Sequence, residues 1–220
     1  MKLDLQNHPQ RNTIRLQLRC NQILADLDEE AHAELRELLF IREGHRGECL
    51  LEQGERELSQ FFVLEGLLKR VVTSPQGREM ALRFAAEGDM ETCYEAWRQH
   101  SNAPYSIVCA TRTRVACLPM SHWSAFLARH PRAQQTFHER VAQLGASIAD
   151  HAVGLLLLDA PGRMQRFSHA YPELVERLPQ KDLASHLNLS AETLCRLARR
   201  CQSMARVAPQ RHAMQVSAAA

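Results

Sequence analysis

The chain has 220 residues, is 45% apolar and is almost charge-neutral, with 27 Lys/Arg against 25 Asp/Glu. That length suits one large or two modest domains with a buried core. No apolar run reaches the roughly 18–20 residues of a membrane span, and the first residues, MKLDLQNHPQRN, lack a signal-peptide core, so the expected setting is cytoplasmic with no membrane partner. Seven Cys, with no Cys-x-x-Cys pair, argue against a disulfide framework or a Cys-rich zinc site. Residues 160–220 carry nine Lys/Arg against four Asp/Glu, formally +5, while the remainder is −3. A basic C-terminal quarter is where phosphate attraction would be used.

Residues 1–19 carry no clear period. Asp28 is a candidate N-cap for a helix with Ala31, Leu35, Leu38 and Leu39 on one face. From about residue 40 to 119 the period shortens. Strand-like runs at 48–53, 61–65, 67–73, 80–85, 106–110 and 114–118 alternate with glycines, which predicts a small antiparallel roll or barrel. A short helix is expected near 121–129. After Pro131 a long helical pattern runs to Leu158. Phe137, Val141, Leu144, Ile148, His151, Leu155 and Leu158 repeat at alternating spacings of four and three, an a/d seam that predicts a coiled-coil homodimer or a helix packed on its own domain. His151 is the polar member of that seam. Asp159 is placed to cap the next helix, with Pro161 in its first turn.

Residues 178–201, LPQKDLASHLNLSAETLCRLARRC, read as two helices and a tight turn. The first spans about Gln180–His186, with Leu183, Ala184 and Leu187 as its apolar side. Asn188 sits where the chain turns and tolerates a left-handed backbone. Ser190 is the N-cap of a second helix, 191–201, whose inner face is Leu194, Leu197 and Ala198. Glu192, Cys195, Arg196, Arg199 and Arg200 point outward. A carboxylate and a guanidinium four residues apart match the edges of cytosine and guanine in a DNA major groove. The same pair is equally an ordinary solvent ion pair on a helical hairpin. Residues 206–216 offer a weakly patterned wing.

Ser190, Glu192, Thr193 and Arg196, preceded by Gln-Lys-Asp-Leu-Ala at 180–184, resemble the helix-turn-helix of the Crp/Fnr transcription regulators, whose pattern is Ser-x-Glu-Thr-x-x-Arg. The resemblance continues backward over about residues 20–216. It includes Gln53-Gly54-Glu55, Phe62-Val63-Leu64-Glu65-Gly66, Pro75-Gln76-Gly77-Arg78-Glu79 and Glu87-Gly88-Asp89, which look like the turns of that family's β-roll. It implies an α+β fold: an N-terminal cyclic-nucleotide-binding-like β-roll over 1–130, a long dimerisation helix over 131–158, and a C-terminal winged helix-turn-helix domain over 159–220. It implies a transcription regulator, not an enzyme, that binds an inverted repeat in double-stranded DNA as a homodimer beside RNA polymerase. Base edges would fall to Glu192 and Arg196, with Cys195 against a thymine methyl, and phosphates to Lys181, Ser190, Thr193 and Arg199.

The effector is less legible. Family members that bind cyclic nucleotides hold the phosphate with Gly-Glu and Arg-Ser pairs, and those positions here carry Thr92-Cys93 and Pro104-Tyr105. Cyclic AMP is therefore not the expected ligand. An iron–sulfur cluster is also not expected, because the N-terminal segment holds only Cys20 where about four thiolates are needed. Haem stays open as a gas- or redox-sensing alternative, since one of eleven His suffices as a ligand. Thr92, Cys93, Tyr94, Trp97 and Tyr105 are the candidate effector pocket, or simply core. A ligand-binding module that has lost DNA recognition is the other alternative, with Pro179 at a cap position where the family often has Thr.

Overall fold

The computed structural model describes residues 2–197 and 199. The chain divides into two compact units, Met1–Val153 and Gly154–Ala220. Among the described residues, no helix is long and apolar enough to cross a membrane.

The first unit opens with strand β1 (Lys2–Asp4), a 3-10 turn (Leu5–Asn7), and helices α1 (Arg11–Arg19) and α2 (Glu29–Leu38). Asp28 caps α2 as expected, accepting from the Ala31 amide at 2.8 Å. Eight strands follow: β2 (Phe40–Gly44), β3 (Cys49–Leu51), β4 (Ser59–Glu65), β5 (Leu68–Thr73), β6 (Glu79–Ala85), β7 (Met90–Glu91), β8 (Ser106–Cys109) and β9 (Thr113–Pro119). Helix α3 (Tyr94–Arg98) interrupts them between β7 and β8. All pairings are antiparallel and form two sheets, ordered β1-β2-β9-β4-β7 and β3-β8-β5-β6. This is the predicted roll, with strands β1, β2 and β7 added to those read from the sequence.

Inward side chains of both sheets meet in one core that includes Phe61, Phe62, Leu68, Ile107 and Val115. Helix α4 (Met120–Arg129) and the start of α5 (Pro131–Leu157) extend this core through aromatic contacts. Trp123 stands edge-on to Phe62 at 5.3 Å and to Phe137 at 5.4 Å, and stacks on Phe126 at 5.4 Å. Offset and edge-to-face pairs of this kind add about 0.5–1.5 kcal/mol each beyond the area they bury. The tightest turn is at Gly66, with φ of +82°, where an added Cβ would overlap the Arg112 carbonyl oxygen. Only glycine meets both demands there.

These contacts place the first part of the heptad seam in its own unit. Phe137 and Leu144 are buried and Val141 packs against the same core, so these three side chains serve the roll. Ile148, His151, Leu155 and Leu158 are half-buried. One stripe on the solvent side of α5 is small and apolar: Ala142, Ala146, Ala149 and Val153 are exposed at spacings of four, three and four, beside the polar Glu139, Gln143 and Asp150.

The second unit holds α6 (Ala160–Ala170), α7 (Pro172–Arg177), α8 (Gln180–His186) and a further helix beginning at residue 191. Asp159 caps α6, accepting from the Gly162 amide at 2.9 Å. Met164, Phe167, Leu174, Leu178, Leu183, Leu187, Leu194 and Leu197 are buried. The wing expected at 206–216, and Ala198, Arg200 and Cys201 of the expected last helix, lie outside the described residues.

Candidate functional site

The two units each present a candidate site, built by different means. In the second unit, α8 ends in a left-handed residue, Asn188, with φ of +51°. The Leu189 amide reaches back to the Ala184 carbonyl at 2.9 Å and the Asn188 amide to the Ser185 carbonyl at 3.2 Å. This 6→1 and 5→2 pair is a Schellman ending, which turns the chain sharply while satisfying the last carbonyls. Two residues later Ser190 Oγ accepts from the Thr193 amide at 3.1 Å and so starts the last helix. The Ser190 hydroxyl also donates to Thr193 Oγ1 at 3.0 Å.

Between these two backbone devices the direction of the last helix is set. Burial of Leu194 and Leu197 then sets its rotation. Glu192 and Arg196 are left exposed one turn apart, with Cys195 half-buried beside them. Of the side chains assigned to phosphate, Lys181, Ser190 and Arg199 are exposed and Thr193 is half-buried. All seven are thus on or next to the outer surface of the two-helix element. A helix with backbone donors at its start and a guanidinium one turn on offers the groups that phosphates and base edges accept.

The first unit's site is the interior of the roll. Arg70 on β5 and Arg83 on β6 are direct cross-strand partners, and both are buried. Two guanidiniums facing each other across a ladder repel. Glu91, from β7 of the other sheet and wholly buried, offsets that repulsion. Arg70 donates to Glu91 Oε2 through Nε at 3.0 Å and Nη2 at 2.6 Å, and Arg83 Nη1 donates to Oε1 of the same carboxylate. Burial works against the charge on Arg70, but the Glu91 carboxylate overrides it and lifts the guanidinium above its ordinary pKa.

Arg83 continues the network to Asp89, and Asp89 Oδ1 also accepts from Arg140 Nη2 of α5 at 2.8 Å. Over Arg70 lies the ring of Tyr105, with its centroid 4.1 Å from the guanidinium carbon. The Tyr105 hydroxyl donates to the Thr92 carbonyl. Burial pushes the Tyr105 phenol above its ordinary range, and it raises the neighbouring Cys93 thiol to about 11.

The five residues expected to form an effector pocket are therefore divided. Thr92, Cys93 and Tyr105 meet inside the roll, and Thr92 Oγ1 contacts Met120 Sδ at 3.7 Å. Tyr94 and Trp97 instead belong to α3 and stack on each other at 6.2 Å. Tyr94 stands edge-on to Phe137 of α5 at 5.0 Å and its hydroxyl meets His138 Nε2 at 2.8 Å. The charged members Arg70, Arg83 and Glu91 escaped the sequence reading. Their signal was an arginine at the inward position of two successive strands, Leu68-Lys-Arg70 and Ala81-Leu-Arg83. An open cleft of about 880 Å³ lies away from this cluster, between Leu27, Asp28 and the start of α5 at Arg132 and Thr136. Its lining mixes Asp26 and Asp28 with Arg129 and Arg132, which selects no single ligand charge.

Residues 41–130 match the cyclic nucleotide-binding domain family. No curated protein matches the sequence. Among solved structures, the c-di-GMP-responsive global regulator CLP of Xanthomonas campestris superposes with a TM-score of 0.67 at 14% identity, over 81% of this chain and 93% of that one. FixK2 of Bradyrhizobium japonicum gives 0.65 at 15% identity, over 75% and 85%. A protein from Eubacterium rectale described as a transcriptional regulator of the Crp/Fnr family gives 0.65 at 14%, over 84% and 88%. The chain thus carries a cyclic nucleotide-binding domain followed by helices, in the fold of these regulators.

The carboxylate at the centre of the roll yields a direct test. Glu91→Gln keeps the shape but leaves two buried guanidiniums facing each other, and should cost roughly 3–5 kcal/mol of unfolding free energy. Glu95→Gln, on the exposed side of α3, should leave stability within about 0.5 kcal/mol. Urea unfolding followed by the fluorescence of Trp97 and Trp123, both in this unit, separates the two outcomes.

Proposed function

We propose that this chain is a sequence-specific DNA-binding transcription regulator of the Crp/Fnr type, acting in the cytoplasm beside RNA polymerase. It binds an inverted repeat as a homodimer and answers to a signal other than cyclic AMP or an iron–sulfur cluster. The observation that carries the reading is the exposed pair Glu192 and Arg196, one turn apart on a helix whose start is capped by Ser190 and whose other face is buried through Leu194 and Leu197. The fold shared with known regulators supports it.

A two-fold dimer presents its reading helices about 34 Å apart, in successive major grooves. Arg196 takes guanine O6 and N7, Glu192 accepts from a cytosine amino group, and Cys195 lies against a thymine methyl. Lys181, Ser190, Thr193 and Arg199 hold phosphates and set the register. Arg196→Ala should cost about 1–3 kcal/mol per half-site and relax preference at one base pair. Lys181→Ala should weaken all sequences alike and reduce the salt dependence. Binding selection on randomised DNA reads both. An unchanged palindrome with unchanged base preferences for Arg196→Ala would sink this assignment of the readout.

For the dimer, the burial of Phe137 and Leu144 in their own unit moves the proposed seam to the exposed side of α5. Ala142, Ala146, Ala149 and Val153 keep the heptad spacing, and small side chains let two helices approach closely. Ala149→Glu places a charge on that face without touching the core. It should shift the sedimentation of the full chain from dimer to monomer, and a variant that sediments as the wild-type dimer would remove the seam.

Cyclic AMP and cyclic GMP are expected not to bind. Both interior cations are already engaged: Arg70 is bonded to Glu91 and covered by Tyr105, and Arg83 is bonded to Glu91 and Asp89. Isothermal calorimetry should show no saturable heat at micromolar nucleotide; a saturable isotherm would overturn this part of the proposal.

A further inference from the structure

Tyr105 is held inside the roll as a bound molecule would be. Its ring covers the Arg70 guanidinium, its hydroxyl donates to the Thr92 carbonyl, and the Cys93 side chain lies against it. The Thr92 carbonyl also receives Arg70 Nη2 at 3.4 Å. One peptide oxygen thus takes two donors, the Tyr105 hydroxyl and the Arg70 guanidinium beneath its ring.

That peptide lies in the middle of a short segment whose ends are fastened elsewhere. Along residues 89–94 the contacts divide between two destinations. Glu91 and Thr92 bind the interior cluster. Asp89 binds Arg140 at 2.8 Å and Tyr94 binds His138 at 2.8 Å, both on α5. Six consecutive residues therefore connect the inside of the roll to the helix. Asp89 is itself a junction: its carbonyl accepts from the Val63 amide of β4 at 3.0 Å, and Arg83 shares its carboxylate.

We propose that Tyr105 is an intramolecular ligand of the roll: by occupying the Arg70–Thr92 site it fixes segment 89–94, and that segment fastens α5. Among the described residues Tyr105 makes no hydrogen bond or ring contact with α5, so its polar route to that helix runs through the segment. The inference stands independently of DNA binding.

Hydrogen exchange on the full-length protein, read by mass spectrometry, tests it. The amides to watch are residues 133–142 of α5, with β2, residues 40–44, as the reference, because β2 pairs with β1 and β9 and not with the segment. Tyr105→Phe removes one hydrogen bond and keeps the ring, so α5 should exchange roughly three- to ten-fold faster while β2 is unchanged. Tyr105→Ala should act more strongly, and millimolar 4-methylphenol, which matches the missing side chain, should restore slow exchange by filling the space. In a background of Asp89→Asn with Tyr94→Phe, adding Tyr105→Phe should change α5 no further. Equal acceleration of α5 and β2, an unchanged α5, failure of 4-methylphenol to slow exchange in Tyr105→Ala, or a persisting effect in the doubly altered background would each overturn the proposal. Tyr105→Phe keeps the test decisive if the alanine variant does not fold.

Discussion

A single carboxylate organises the first unit. Glu91 is wholly buried and sits between Arg70 and Arg83, which face each other across β5 and β6. Without it the two strands would oppose like charges inside a low-dielectric core, where the repulsion is least screened. With it, the charges are satisfied and the two sheets are tied together, because Glu91 belongs to the sheet of β4 and β9 while both arginines belong to the other. A buried ion pair is weak evidence for net stability, since desolvation cancels much of the attraction. What this one supplies is position. It fixes the Thr92 carbonyl and the Asp89 carboxylate on either side of it, and those two groups make the contacts with Tyr105 and Arg140.

The second unit is specified by a different kind of physics. Its decisive features are local: the left-handed Asn188, the two backbone bonds that end α8, and the Ser190 cap three residues before Thr193. Each depends on residues within six positions of one another. The angle between the two helices is thus encoded in a few consecutive residues, and the buried leucines only choose which way the second helix rolls. A rigid element of this kind can carry reader side chains with little entropy to lose on binding.

This contrast explains what the sequence could and could not disclose. Caps at Asp28, Asp159 and Ser190, the turn at Asn188 and the bounds of α8 were readable because their causes are short-range. Strands β3 to β6, β8 and β9 were readable within a few residues from alternation and glycine spacing. Strands β1, β2 and β7 were not, because two to five residues carry too little pattern, and pairing with β2, β9 or β4 decides them. The Arg70–Glu91–Arg83 cluster joins residues up to 21 apart and requires knowing which strand faces are inward. The heptad on α5 was a true period with an ambiguous partner: repetition every 3.5 residues does not distinguish a second chain from the helix's own domain. For Phe137, Trp123 supplies a partner within the same unit, in the aromatic cluster with Phe62.

α5 thus carries two apolar stripes with different side-chain sizes. Phe137, Val141 and Leu144 are large enough to reach into the roll, and the exposed Ala142, Ala146 and Ala149 are small enough for another helix to lie close. The polar anchors His138 and Arg140 stand between these apolar positions and take Tyr94 and Asp89. An α-helix is stiff over this length, so a shift of segment 89–94 cannot tilt the inner face without tilting the outer one. The same few residues that pin the helix to the roll therefore govern the angle at which the face proposed for a second copy is presented. In a dimer built on small side chains, close approach leaves little room for that angle to vary. Packed interfaces tend to switch between discrete arrangements instead of deforming gradually, and a clasp of two polar contacts is of the right size to choose between them.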